Sequence, residues 1–426
     1  MPAVRDALFA LVILLATGAD GRTEALATIP EAEQAVLATK IIDRFYGERP
    51  KAPPKVLHVA YFTPADREPV ARYQERLTAI LEDIRSFYGA EMQRHGFGPK
   101  TFDLERDAAG KPVIYLVKGN EADSGYPRTG WGHNDGGDGG RVLKECLPVL
   151  QAAGLSPNQE TILIVCNLAD WDETSHTYSH HSPFYGAWTR TKGICFVTDS
   201  PILDVDNLLK KEPVIHDKVP NERFGDVPLG KRNSMLIGSI AHEMGHAFSL
   251  QHCAERWDQK SEGKSLMGVG NLVYRDERRG DDPGAFLTFA SALKLAARPL
   301  FSGSTKGNDR RAMLDHCEVM LSTKLTSTNL AGRHAGLRVE GKVAGSPPIY
   351  GVIAYFDSIH DGGYHSPTAT SVPDEQGRFA LEISDLAPTA DGKLRLEFCH
   401  VNAGFSEERR DFTVSGDDVQ IPARTK

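Results

Sequence analysis

The sequence predicts an α+β domain, a twisted mixed sheet with long helices, followed by an all-β sandwich domain. Three observations predict it. Apolar residues recur every three or four positions from Pro69 to His95 (Val70, Tyr73, Leu77, Ile80, Leu81, Ile84, Phe87), the spacing of a long amphipathic helix. Continuous apolar runs at Thr161 to Cys166 and Gly193 to Thr198 read as buried strands. Beyond Pro299 the helical pattern gives way to period-two alternation, as where Leu394, Leu396 and Phe398 alternate with Arg395, Glu397 and Cys399. A chain of 426 residues has room for two such domains, each with its own core.

Arg5, partly offset by Asp6, precedes an unbroken run of ten apolar residues, Ala7 to Ala16, and then the small residues Thr17-Gly18-Ala19. The run fits a signal-peptide core and falls short of the roughly 20 residues that span a bilayer. Residues 1–19 are therefore expected to be removed, leaving a secreted, periplasmic or extracellular protein, and no later stretch is apolar enough for a stable membrane span. Residues 20–54 form an N-terminal segment with helical spacing from Glu31 to Tyr46, closed by Pro50 to Pro54. It reads either as a prosegment or as an embellishment of the α+β domain.

That domain is expected over residues 55–301. Val56 to Phe62 reads as a buried strand, Thr101 to Leu104 and Pro112 to Val117 as strands, and Val142 to Ala153 as a helix. A helix starting near Asn233 and a last one from Ala285 to Ala297 complete the domain. Ser302 to Asp309 has the composition of a linker (residues 302–312), and the sandwich occupies 313–426, with strands at Leu337 to Val343, Tyr350 to Phe356 and Phe379 to Ile383. Its expected role is to buttress the first domain or to bind a substrate, a glycan or a surface ligand. A formal charge of −8 gives no basic footprint, which argues against nucleic acid as a partner.

The chemistry concentrates in Ala241-His242-Glu243-Met244-Gly245-His246-Ala247-Phe248-Ser249-Leu250-Gln251-His252. Residues four apart share a helix face, so His242 and His246 can offer two imidazoles to one metal while Glu243 borders the same cleft. His252 lies too far along for that face, so the helix must end near Ser249 and the chain turn back to supply a third imidazole. Three histidines leave one tetrahedral position for water, as in a catalytic zinc site. Zn2+ polarises a carbonyl and acidifies its water, and a carboxylate beside it, here Glu243, can move the proton.

Two further candidate sites stand apart from this motif. Asn134-Asp135-Gly136-Gly137-Asp138-Gly139-Gly140 offers short carboxylates to Ca2+ but lacks EF-hand spacing. His176 to His181, with three histidines in a Ser/Tyr-rich stretch, reads as a surface loop, a cleft wall or a second metal site. Six cysteines (146, 166, 195, 253, 317 and 399) permit disulfides or free thiols, and a bridge from Cys253 would pin the neighbouring His252.

The motif resembles that of the metzincin zinc metalloproteases, His-Glu-x-x-His-x-x-Gly-x-x-His followed by a methionine-containing turn. His242, Glu243, His246 and His252 match it, and Ser265-Leu266-Met267-Gly268 looks like the turn. The family's glycine falls on Ser249, and a tyrosine that some members carry two residues after the methionine is replaced by Val269, leaving Tyr274 as a weak substitute. The resemblance implies a metzincin-like catalytic domain in a secreted zinc metalloendopeptidase. It further implies a polypeptide substrate laid along a sheet edge, Met267 as an apolar floor under the metal, and Glu243 as general base and then acid. One rival replaces His252 with Glu262 or Glu277 as third ligand. The other is a non-catalytic, zinc-stabilised secreted binding protein that recognises its ligand through the sandwich.

Overall fold

A computed structural model describes residues 26–47, 55–126, 137–217, 225–325, 335–358, 364–386, 389–415 and 418–420. The expected signal peptide lies outside them, as does Asn134 to Gly136 of the candidate calcium loop; Gly137 to Gly140 open a helix instead. No helix among the described residues is long and apolar enough to cross a membrane.

The first part is built around a five-stranded sheet. In chain order come α1 (Glu31–Tyr46), β1 (Leu57–Thr63), α2 (Tyr73–Arg94), β2 (Ile114–Lys118), α3 (Gly137–Ala152) and β3 (Thr161–Cys166). Then come β4 (Ala169–Asp172), β5 (Thr177–His180), β6 (Tyr185–Trp188), β7 (Gly193–Thr198), β8 (Val214–Asp217), β9 (Val227–Pro228) and α4 (Leu229–Ala247). The central sheet has the order β2-β1-β3-β7-β6, parallel except for the antiparallel edge strand β6. β1, β3 and nearly all of β7 are buried, as expected for parallel strands covered on both faces. The apolar stripe of α2 explains its place, since Leu77, Ile80, Leu81, Ile84, Tyr88 and Met92 all enter the main core.

Several expectations shift. Thr101 to Leu104 forms only a bridge between Leu104 and Leu57. The His176 to His181 stretch is no surface loop: β5 is paired with β4 and β8, and His181 is buried, its ring bonded to Asp123 at 2.9 Å. Of the helix expected from Ala285 to Ala297, β10 (Lys264–Ser265) takes the first residues as its partner β11 (Ala285–Phe286). The helix proper, α5 (Phe289–Leu295), starts where the Thr288 hydroxyl accepts from the Ser291 N–H. Cys146, Cys166, Cys195, Cys253 and Cys399 are buried thiols. Cys253 Sγ lies among the hydroxyls of Ser265, Thr288 and Ser291 instead of in a bridge.

After α6 (Pro299–Ser302) the elements among the described residues are all β: β12 (Met313–Leu325), β13 (Ala335–Ser346), β14 (Ile349–Ser358), β15 (Thr368–Ser371), β16 (Arg378–Leu386), β17 (Thr389–His400), β18 (Phe405–Ser415) and β19 (Asp418–Gln420). One sheet has the order β12-β13-β16 and the other β15-β14-β17-β18-β19, and Leu337, Phe379, Phe356, Leu396 and Phe412 from the two share a core. The stretch with linker composition is tied down, because Asn402 Nδ2 donates to the carbonyls of Gly307 and Arg310 at 2.9 Å each. Tyr350, Tyr355, Val372 and Val401 of the all-β part join the main core of the first part. α1 is built into the same core through Ala35, Ala38, Ile42 and Tyr46, whose hydroxyl donates to the Ala297 carbonyl at 2.9 Å.

Candidate metal centre and active site

α4 carries the first two histidines and ends in a way that delivers the third. Ser249 has φ 78°, its N–H reaches the His246 carbonyl at 2.8 Å, and the Leu250 N–H reaches back to the Gly245 carbonyl at 2.9 Å. This is the left-handed helix stop in which a glycine is usual, made here by a serine, and it reverses the chain so that His252 returns to the helix face. The cost of that conformation to a residue with a Cβ is on the order of 1–2 kcal/mol.

The three imidazoles converge. Their ligand atoms lie within 4.8 Å of one another, with His246 Nε2 and His252 Nε2 2.9 Å apart. His242 Nδ1 bonds the Leu266 carbonyl at 2.6 Å and His246 Nδ1 bonds the Leu250 carbonyl at 2.9 Å. Each Nδ1–H donates to its carbonyl, so each Nε2 keeps its lone pair for the common centre. Burial, and then the neighbouring His246 and His252, hold His242 well below its ordinary pKa; burial likewise lowers His246. Neutral imidazole is the form that binds a metal, so the donor set fits a zinc ion. Among the described residues no second group of this kind occurs, the stretch around His180 included.

Glu243 is half-buried beside this centre, and its Oε2 accepts from the Gly186 N–H at 2.7 Å. Burial pushes its carboxyl up to about 8, against the pull of that hydrogen bond. A cation held by the histidines would oppose the burial effect. Gly186 sits on the edge strand β6, and the helix approaches it so closely that a Cβ there would lie 2.0 Å from the Glu243 carbonyl oxygen. β6 has no signature in the sequence because four residues are too short for periodicity, although a glycine flanked by Tyr185 and Ala187-Trp188 is a signal of close backbone approach.

Met267 is fully buried against α4, where a Cβ on Gly245 would lie 2.5 Å from its sulfur, and the carbonyl before it is the one that holds His242. Tyr274 does not join the histidines: it is buried, and its hydroxyl donates to Asp83 at 2.7 Å. Glu262 pairs with Arg94 at 2.5 Å, and Glu277 lies 4.0 Å from Arg275, so neither belongs to the cluster.

The aromatic at the centre comes from the all-β part. Tyr364, beyond β14, stacks on His252 with ring centroids 3.7 Å apart, and lies parallel to His242 at 6.4 Å and 5°. Its segment docks through a backbone bond from Ala254 N–H to the Ser366 carbonyl at 2.8 Å. Sequence offered no signal for it, since 112 positions separate it from His252. Tyr364→Ala is expected to weaken whatever depends on the orientation of His252 by about 0.5–1.5 kcal/mol, roughly 2- to 10-fold, with Tyr364→Phe nearly neutral. Metal affinity of the two variants, measured by competition with a chelating dye, checks this.

The sequence matches no known family model, and no curated protein matches it. Among solved structures it is similar to OgpA from Akkermansia muciniphila. Two crystal structures of the wild-type OgpA are each 23% identical with TM-score 0.62, covering 87% and 88% of this chain and 96% of that one. A catalytically inactive OgpA in complex with an O-glycopeptide substrate, glycodrosocin, is 22% identical with TM-score 0.63, over 87% of this chain and 96% of that one. At such identity the likeness establishes a shared fold, a mixed α/β arrangement with several sheets.

Proposed function

We propose that this chain is a secreted zinc peptidase of metzincin type, with the β-sandwich as an integral second domain, and that its substrate is a polypeptide carrying O-linked glycan. The observation that carries the reading is the convergence of three imidazoles next to a half-buried carboxylate tethered to a sheet edge. The fold shared with OgpA, one structure of which holds an O-glycopeptide, supports the substrate class. The apolar run before Thr17 supports export.

His242, His246 and His252 would hold the metal, the first two through Nε2, since their Nδ1 atoms bond backbone carbonyls. When bound, zinc supplies a Lewis acid for the scissile carbonyl and lowers the pKa of a coordinated water. The chain's own residues do the rest. The carbonyls of Leu266 and Leu250 fix the ring tautomers. Gly186 N–H aims the Glu243 carboxylate, which takes a proton from the attacking water and hands it to the leaving amine. The open edge of β6 receives the substrate as an added strand, and Tyr364 is stacked on His252.

Zinc content by elemental analysis and cleavage of an O-glycosylated peptide test the proposal together. The wild-type chain is expected to hold one zinc and to cut. His252→Ala is expected to lose metal affinity by more than the roughly 10–100-fold that an outer-shell change costs. Chelation should abolish cleavage and lower the melting temperature, since zinc at about 1,000 times its Kd adds about 4 kcal/mol. A wild-type chain that holds zinc and cuts neither glycosylated nor plain peptide would leave the binding-protein reading in its place.

A further inference from the structure

A cavity of about 340 Å³ opens where the end of β6, the turn after α4 and the start of β18 meet. Three arginines line it: Arg190, Arg298 and Arg311. Arg298 is 5% exposed, and its one hydrogen bond among the described residues runs from Nη1 to the Ala403 carbonyl at 3.3 Å. No carboxylate pairs with it among those residues. A guanidinium has five donors arranged for a planar anion, and buried ones ordinarily face an acid. Burial lowers its pKa to about 10, which still leaves it charged at neutral pH. The acids nearby are engaged elsewhere: Glu407, also in the lining, pairs with Arg409, and the buried Glu397 pairs with Lys294. Trp188 and Phe405, edge to face at 5.4 Å, form an apolar wall.

Ser249 gives the independent observation. It lines the same cavity, is 2% exposed, and its hydroxyl has no hydrogen-bond partner among the described residues. It also carries φ 78°. Glycine would remove both the backbone strain and the buried, unpartnered hydroxyl, so a serine here is unfavourable twice over unless something in the cavity accepts from it.

The cavity adjoins the metal centre. Trp188 is two residues past Gly186 along the edge strand, about 7 Å at the usual strand rise, and Ser249 lies between His246 and His252. We propose that this cavity is a specificity subsite for an anionic group, a carboxylate or sulfate, carried by the substrate near the bond that is cut. Guanidinium N–H groups and the Ser249 hydroxyl hold the anion, and the Trp188–Phe405 wall takes the apolar face of the sugar or side chain that bears it. This rests on the peptidase reading for its substrate. The anion has two sources, an acidic sugar on the glycan or an acidic side chain.

Three fluorescein-labelled O-glycopeptides of one sequence decide the matter. One has a neutral glycan, one the same glycan ended by a carboxylate-bearing sugar, and one the neutral glycan with Asp placed two residues from the glycosylated position. At least one acidic peptide is expected to exceed the neutral one in kcat/KM by about tenfold, the scale of a charge-assisted hydrogen bond, and which of them does so identifies the source. Ser249→Gly and the exposed-site variant Arg311→Gln should each reduce that ratio at least about threefold, while Ser249→Gly melts about 1–3 °C higher than wild type. An acid-to-neutral ratio near one in the wild type, or a ratio unchanged in both variants, overturns the subsite. Anisotropy of the labelled peptides on the Glu243→Gln chain separates the two readings without turnover. Acid preference in binding with no cleavage by wild type keeps the subsite and sinks the peptidase; cleavage with no acid preference does the reverse.

Discussion

Glu243→Gln is expected to lower kcat/KM by about 10²–10⁴-fold, the usual contribution of a positioned acid–base group, with zinc content and melting temperature close to wild type. The substitution keeps the side chain's volume on α4 and still offers Gly186 N–H a carbonyl acceptor at the position now 2.7 Å away. It removes only the ability to take a proton. Burial already disfavours the charged carboxylate, so a neutral amide imposes no desolvation cost on the folded state. His242 and His246 keep their backbone carbonyl partners at Leu266 and Leu250, so metal binding has no reason to fail. Steady-state cleavage of the neutral glycopeptide, with elemental analysis on the same samples, measures it. If the variant retains more than roughly a tenth of wild-type kcat/KM, Glu243 is not the acid–base group and the mechanism is wrong.

Legibility in the sequence depends on where periodicity and spacing carry information. The helix expected from Glu31 to Tyr46 and the strands at Thr161 to Cys166 and Gly193 to Thr198 have those bounds in the structure, because each is either amphipathic at 3.6 residues or continuously apolar. The histidines of the candidate centre were legible because their spacing is dictated by one helix face and one turn. The turn is made at Ser249, which adopts φ 78° where the family it resembles carries glycine. Long-range contributions were not legible. Tyr364 reaches His252 only through the docking of a second set of sheets, and the arginines of the cavity come from the chain after β6, the chain around α6 and the segment before β12. Tyr274 was nearest in sequence to the missing tyrosine, yet a buried acceptor, Asp83, claims its hydroxyl. Local pattern places a residue on an element; it does not say which acceptor that element will meet.

Asp199→Ala is expected to destabilise the chain by about 3–5 kcal/mol, the usual result of breaking a buried ion pair from one side. Asp199 follows β7 directly, is fully buried, and takes both terminal nitrogens of Arg76 on α2 at 3.0 Å each. Its Oδ2 also accepts from the Tyr61 hydroxyl of β1 at 2.8 Å, and its Oδ1 from the Ser200 N–H at 2.8 Å. Arg76 further donates to the carbonyls of Ser200 and Leu203, so the network is bidentate and well satisfied. Alanine would leave a guanidinium charge in the core without its acid and a buried phenol without its acceptor. The double variant Arg76→Met with Asp199→Leu should lose less than the sum of the two single losses, because no charge is then stranded. Urea unfolding of the full chain gives both numbers, and a loss below about 1 kcal/mol for Asp199→Ala would refute the argument. The consequence reaches the candidate centre: β7 is the strand on which β6 is hung, and β6 presents the Gly186 N–H bonded to Glu243. At temperatures where Asp199→Ala is still folded, its activity should therefore fall more steeply with added urea than that of wild type, as the edge strand loosens before the core gives way.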